Sequence, residues 1–154
     1  MVAALLIETK RLFKDSQLRA AFIAAPVFWA ALWVYKSPEP DWGWPLVSPA
    51  QFILLVVIYP VLEELVFRGA LQGWLLSRSW GLIAWRQVTV ANALASAVFA
   101  LLHVIINPVY LSVAVIIPSL VFGYFRDRYD GLAGSIVLHI FYNAGYIWLF
   151  VNTP

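Results

Sequence analysis

The sequence predicts an all-α fold, a polytopic membrane helix bundle of about five transmembrane helices. Three observations predict it. Of 154 residues, 63% are hydrophobic and only 12% are charged, whereas a soluble domain carries about 25% charged residues. The few charges are grouped, so that long runs contain none at all. The basic residues also fall very unevenly between the two sides those runs define. Eight Trp, seven Tyr and ten Phe add to an apolar surface too large for a soluble chain of this length to hide. This excludes a disordered tail, a nucleic-acid binder and a secreted disulfide scaffold. The absence of Cys excludes thiol nucleophiles, iron–sulfur clusters and cysteine-ligated zinc.

The elements follow from the uncharged runs. Residues 1–19 place Lys10, Arg11 and Lys14 beside Leu12, Phe13 and Leu18, the pattern of an amphipathic helix lying on an anionic leaflet. Val2–Ile7 is too short for the apolar core of a signal peptide and has no basic residue before it. The membrane domain is expected over 20–154. Its first span, 20–35, lies between Arg19 and Lys36, whose stems can snorkel to the interfaces. Pro38, Pro40 and Pro45 stiffen the connector to a second span near 49–77. The uncharged stretch from Gln87 to Phe125 is too long for one crossing. Asn107-Pro108 divides it into spans near 87–106 and 108–125, with Asn as cap and Pro in the next first turn. A fifth span covers 131–151. Five spans put Lys10, Arg11, Lys14, Arg19, Arg78, Arg86, Arg126 and Arg128 on one side and only Lys36 on the other. The positive-inside rule then predicts a cytoplasmic N-terminus and an outside C-terminus.

Ionisable groups at membrane depth are costly, and each is a functional candidate. Here they are Glu63, Glu64, Arg68, His103 and His139, the last two being the only histidines in the chain. Glu64 and Arg68 are spaced i,i+4 with the acid first, the better orientation for an ion pair, and Gln72 continues their stripe. Glu63 points roughly 100° away around the helix, which leaves it without an arginine. Pro60 is expected to distort the helix just before the pair. Thr89, Asn92, Ser96, Phe99 and His103 form one helix face, and Ser135, His139, Asn143 and Tyr146 form another. Both polar stripes are expected to face the bundle interior, with Ala91, Ala93, Ala95 and Ala97 letting neighbouring helices approach. At 1.5 Å per residue, Glu63, His103 and Asn143 come to about 21–23, 25 and 18 Å from the same side, with His139 about 6 Å lower than Asn143, so one layer can hold all four provided the second helix continues to about Ser77.

Glu63-Glu64-Leu65-Val66-Phe67-Arg68, then Phe99-x-x-x-His103, then His139-x-x-x-Asn143, resembles the motif set of the CAAX protease and bacteriocin-processing (Abi) family. These proteins are similar to the type II CAAX prenyl endopeptidase and are regarded as glutamic intramembrane proteases. The resemblance covers 47–151 as a four-helix catalytic core and leaves 20–35 as an extra leading span. It implies that Glu63 activates a water with the help of His103, and that His139 and Asn143 hold the oxyanion. Glu64, Arg68 and Phe99 would support the site, with no cofactor and no metal. It further implies a membrane protein or peptide as substrate, cut near a C-terminal tail or the membrane boundary, in a bacterial inner membrane. Compact bacterial members are paired with substrates bearing C-terminal sorting tails. The chain is short for the family, which leaves a homodimer or a partner to supply missing substrate contacts. Neutral imidazole and amide donors can stabilise a tetrahedral oxyanion where water does not compete.

Other chemistries fit less well. No His-Glu-x-x-His occurs, no Asp lies within a span, and Ser135 has no Gly-x-Ser-x-Gly setting. A zinc ion bound by Glu63, His103 and His139 is the alternative mechanism. It is disfavoured because no spare Asp lies near either histidine to orient the ring and Glu64 is better occupied by Arg68. A bacteriocin-immunity or proton-relay transport protein is the alternative of a different class.

Overall fold

The computed structural model of the chain describes residues 14–106 and 108–150. Six helices carry it: α1 (Ser16–Lys36), α2 (Trp44–Val47), α3 (Pro49–Leu76), α4 (Val90–His103), α5 (Val109–Tyr129) and α6 (Ala133–Phe150). The strands β1 (Ala84–Trp85) and β2 (Val88–Thr89) form a short antiparallel hairpin between α3 and α4. Among the described residues, four helices (α1, α3, α5 and α6) are long and apolar enough to cross a membrane. The architecture is an all-α, multi-pass membrane bundle.

Most expected spans agree with the helices to within a few residues, and the exceptions have local causes. The first helix begins at Ser16 and not at Ala20, because Asp15 caps it by accepting the backbone N–H of Gln17 (2.9 Å). Counting from the last charge hid that cap. The third span, expected over 87–106, is a 14-residue helix, about 21 Å long. The hairpin removes its first residues, and three successive i→i+3 turns end it at Val104–Ile106. Asn107, the expected cap, lies outside the described residues, as do residues 1–13 of the expected amphipathic segment. Pro108 sits at the N-cap position of α5 and not in its first turn, its carbonyl accepting from Leu111 and Ser112.

Two compact units divide the chain. The first comprises residues 14–58 with 140–150. In it Leu18, Ala21 and Ala25 are buried, Phe22 and Trp29 pack on Phe141, and the Tyr142 hydroxyl donates to the Ala21 carbonyl (2.9 Å). Gly145 lies directly against the Trp29 indole, where any side chain would displace the ring.

The second unit is Tyr59–His139. Its core is the packing of α4 on α5: Ala91, Ala95 and Phe99 on one side, Phe122 and Phe125 on the other, all at most 2% exposed. Gly123 permits the approach, because a Cβ there would collide with the Asn92 amide oxygen and come within 2.9 Å of Gln72 Oε1. Of the four alanines expected at helix contacts, Ala91 and Ala95 are buried whereas Ala93 and Ala97 are exposed. They lie on the face opposite Asn92 and Phe99.

Candidate active site

The long helix α3 changes hydrogen-bond register twice. Residues Leu54–Ile58 and Leu65–Gln72 are π-helical, and the α-helical stretch Tyr59–Glu64 stands between them. The first distortion has a clear origin: Pro60 has no N–H to offer the carbonyl of Val56. The second carries Arg68 and Gln72, both fully buried. Such i→i+5 segments recur at functional sites because they re-aim side chains within a continuous helix.

Glu63 and Glu64 close the central stretch, and their carboxylates reach opposite nitrogens of one ring, that of His139. Glu64 is completely enclosed and its Oε1 meets two partners, Arg68 Nη1 at 3.2 Å and His139 Nδ1 at 2.8 Å. Arg68 is anchored further: its Nη2 donates to the Ser119 carbonyl (2.8 Å) and hydroxyl (2.7 Å). Its guanidinium lies 4.9 Å over the Phe99 ring and 5.7 Å from that of Phe122. Glu63 is left facing the other ring nitrogen, with Oε2 3.5 Å from His139 Nε2 and its side chain one third exposed. That separation suits an ion pair but exceeds a good hydrogen bond.

A carboxylate only accepts, so His139 must donate through Nδ1. Its Nε2 therefore presents a lone pair when the ring is neutral and an N–H when it is charged. The imidazole stacks on Phe122 (4.8 Å, 24°) and meets the edge of Phe99 at 5.9 Å. His103 is fixed in the same manner: its Nδ1 donates to the Phe99 carbonyl one turn back (2.9 Å), which leaves Nε2 as acceptor. Phe99 also lies 4.3 Å from the His103 ring and 4.9 Å from that of Phe67.

Within Tyr59–His139, then, the expected residues Glu63, Glu64, Arg68, Phe99, His103 and His139 form one connected cluster. Asn143 belongs to the first unit, where its amide donates to the Leu55 carbonyl (3.2 Å). Among the described residues, no group of three His, Asp or Glu side chains converges as a metal site.

A model of the type II CAAX prenyl endopeptidase Rce1-like family matches residues 44–145, about two thirds of the chain. The chain belongs to that family. No curated protein and no solved structure matches it. Membership makes it an endopeptidase of the membrane, in agreement with its four long apolar helices. The matched region contains Glu63 through Asn143 and leaves α1 outside.

Three features of this family member were not read from its sequence. Glu64 serves His139 as well as Arg68, contrary to the expectation that the arginine alone would occupy it. Ser119 and Phe122 bring α5 into the cluster. A satellite network lies beyond Gln72, whose amide donates to Asp127 (2.8 Å) and the Gly123 carbonyl (3.0 Å). Thr89 donates to the same carboxylate (2.8 Å), Asn92 to the Leu120 carbonyl (3.0 Å), and Arg126 Nε to the Arg68 carbonyl (3.2 Å). The available signal was Ser112, Ser119, Gly123 and Asp127, a small and polar stripe at steps of seven, four and four along α5.

Proposed function

We propose that the chain is a glutamic intramembrane endopeptidase in which Glu63 is the base that activates water. The observation that carries this reading is the division of labour between adjacent carboxylates. Glu64 is enclosed and committed to Arg68 and His139, while Glu63 is partly exposed and has no arginine. Glu63 takes one proton from a water whose oxygen adds to the substrate carbonyl, and the proton then passes to the departing amine. His103, with Nε2 as acceptor, assists that transfer. His139 and Asn143, one turn apart in α6, serve the oxyanion, His139 in its charged form because Nδ1 is already committed to Glu64. The substrate is a membrane-associated protein or peptide cut near its C-terminal tail or the membrane boundary. The N-terminus is cytoplasmic, the membrane a bacterial inner membrane, and the basic segment ahead of α1 interfacial.

One observation favours the zinc alternative. A carboxylate bound to the far nitrogen of an imidazole is also the arrangement that orients metal-ligating histidines, and Glu64–His139 has it. Glu63, His103 and His139 would then be ligands, but among the described residues the three do not converge on one point, so the metal-free reading is preferred.

The test uses purified, reconstituted protein and two peptide classes, one C-terminally prenylated on cysteine and one an unlipidated transmembrane tail, with products read by mass spectrometry. Cleavage of either class by wild type, lost in folded Glu63→Gln, is expected. Processing at the wild-type rate by folded Glu63→Gln would overturn the assignment of the base.

A further inference from the structure

Between α3 and α4 the chain makes a turn of 3₁₀ helix (Ser79–Leu82) and the β1–β2 hairpin, and residues 82–87 are all exposed. The exposed side chains are not polar. Leu82, Ile83 and Trp85 stand 61, 62 and 78% open, and Trp74 and Trp80 are also exposed. In water such a patch would be a liability. In this chain it lies at the head of a helix about 21 Å long, well short of a hydrocarbon core of about 30 Å. The hairpin ahead of α4 therefore belongs to the boundary between acyl chains and headgroups, where Trp is enriched.

The charge pattern narrows the partner. Arg78 lies 5.1 Å over the Trp74 ring and Arg86 5.3 Å over the Trp85 ring. No acidic residue occurs between Glu64 and Asp127. A guanidinium held over an indole by cation–π attraction can still turn N–H groups outward for planar, bidentate contact with phosphate. Arg86 also has φ 55° in the two-residue turn between the strands, a position where Gly or Asn is the easy choice.

We propose that Trp74–Val88 is a binding surface for anionic phospholipid headgroups, with Arg78 and Arg86 taking the phosphates and Trp74, Trp80 and Trp85 fixing depth. The test reconstitutes the full chain into mixed phosphatidylcholine–phosphatidylglycerol vesicles in which one or the other lipid is brominated. Quenching at position 85 is read as the difference between wild type and Trp85→Phe. Wild type is expected to show a phosphatidylglycerol preference that weakens at high salt. Each of Arg78→Gln and Arg86→Gln should lower it about five-fold, and Arg86→Lys, which keeps the charge without the planar fork, should restore only part of it. All these side chains are exposed, and circular dichroism confirms folding. Equal quenching by the two lipids in wild type would overturn the proposal. So would a preference undiminished in Arg78→Gln/Arg86→Gln, which would move anionic-lipid binding to Lys10, Arg11 and Lys14.

Discussion

Glu64 stands between Arg68 and His139, so its structural and catalytic contributions are separable by charge-balanced substitution. Arg68→Leu alone deletes the contact with Glu64 Oε1 and both bonds to Ser119. It leaves a fully enclosed carboxylate whose Oε2 already has no protein partner. Breaking a buried ion pair from one side costs about 3–5 kcal/mol. In Glu64→Leu/Arg68→Leu neither charge remains. The residual cost is that of an unsatisfied His139 Nδ1–H, about 1–3 kcal/mol, since the Ser119 hydroxyl can turn to its own helix. The double variant is therefore expected to recover about half of the stability lost by Arg68→Leu, measured as thermal unfolding in detergent by circular dichroism. It should not recover activity. With Nδ1 released, the ring keeps its contacts with Phe122, Phe99 and Glu63 but loses its short hydrogen bond, and a displacement of about 1 Å at a reacting group can cost about 100-fold in rate. A peptide-cleavage assay on both variants reads that part. Wild-type stability in Arg68→Leu would refute the ion pair as a structural element. A double variant with wild-type turnover would refute Glu64 as the group that positions His139.

Gly123→Ala should cost about 3–6 kcal/mol, combining an overpacking term of about 1–3 kcal/mol with loss of two or three buried hydrogen bonds around Asn92 and Gln72. Asn92→Gly in the same chain should return part of it, read by thermal unfolding. Reporter fusions after Arg86 and after Pro154 should give opposite signals, the first cytoplasmic; the same signal at both would leave an even number of crossings between them. Activity should survive prolonged chelator dialysis, with no stoichiometric metal by elemental analysis. Loss on chelation with recovery on added zinc would transfer Glu63, His103 and His139 to the role of ligands.

The helices were legible because lipid demands uncharged runs, and such runs are visible without knowledge of packing. Their ends were less so. Asp15 caps α1 through a side chain that looks like one more charge of the basic segment, and the hairpin at 84–89 is made of Ala, Trp, Val and Thr, which read equally well as helix. The motif residues were legible for a related reason: charge inside an apolar helix has few bland explanations. Which carboxylate would be committed followed from the i,i+4 rule alone. That rule sees one helix at a time. It therefore found Arg68 for Glu64 and could not find His139, 75 residues away.

The same blindness accounts for α5, and it bears on how this site works. Ser119 and Phe122 carry no charge, so only the small and polar stripe of α5 hinted at a role, yet the cluster depends on them for geometry. Arg68 alone could pair with Glu64 in several rotamers. Its two bonds to Ser119 select one, and the Phe122 ring sets the plane of His139. With Oε1 of Glu64 fixed by both neighbours, the His139 ring has one orientation left, the one that turns Nε2 toward Glu63. A hydrogen-bonded chain thus runs from α5 through α3 to α6, and only its last member faces the carboxylate proposed as the base. Ser119→Ala removes a single hydroxyl, deletes neither charge and touches neither Glu63 nor His139. It should lower kcat several-fold with KM little changed, and Ser119→Thr, which restores a hydroxyl, should recover most of it. Unchanged kcat in folded Ser119→Ala would mean that Glu64 and Phe122 orient His139 without help from α5.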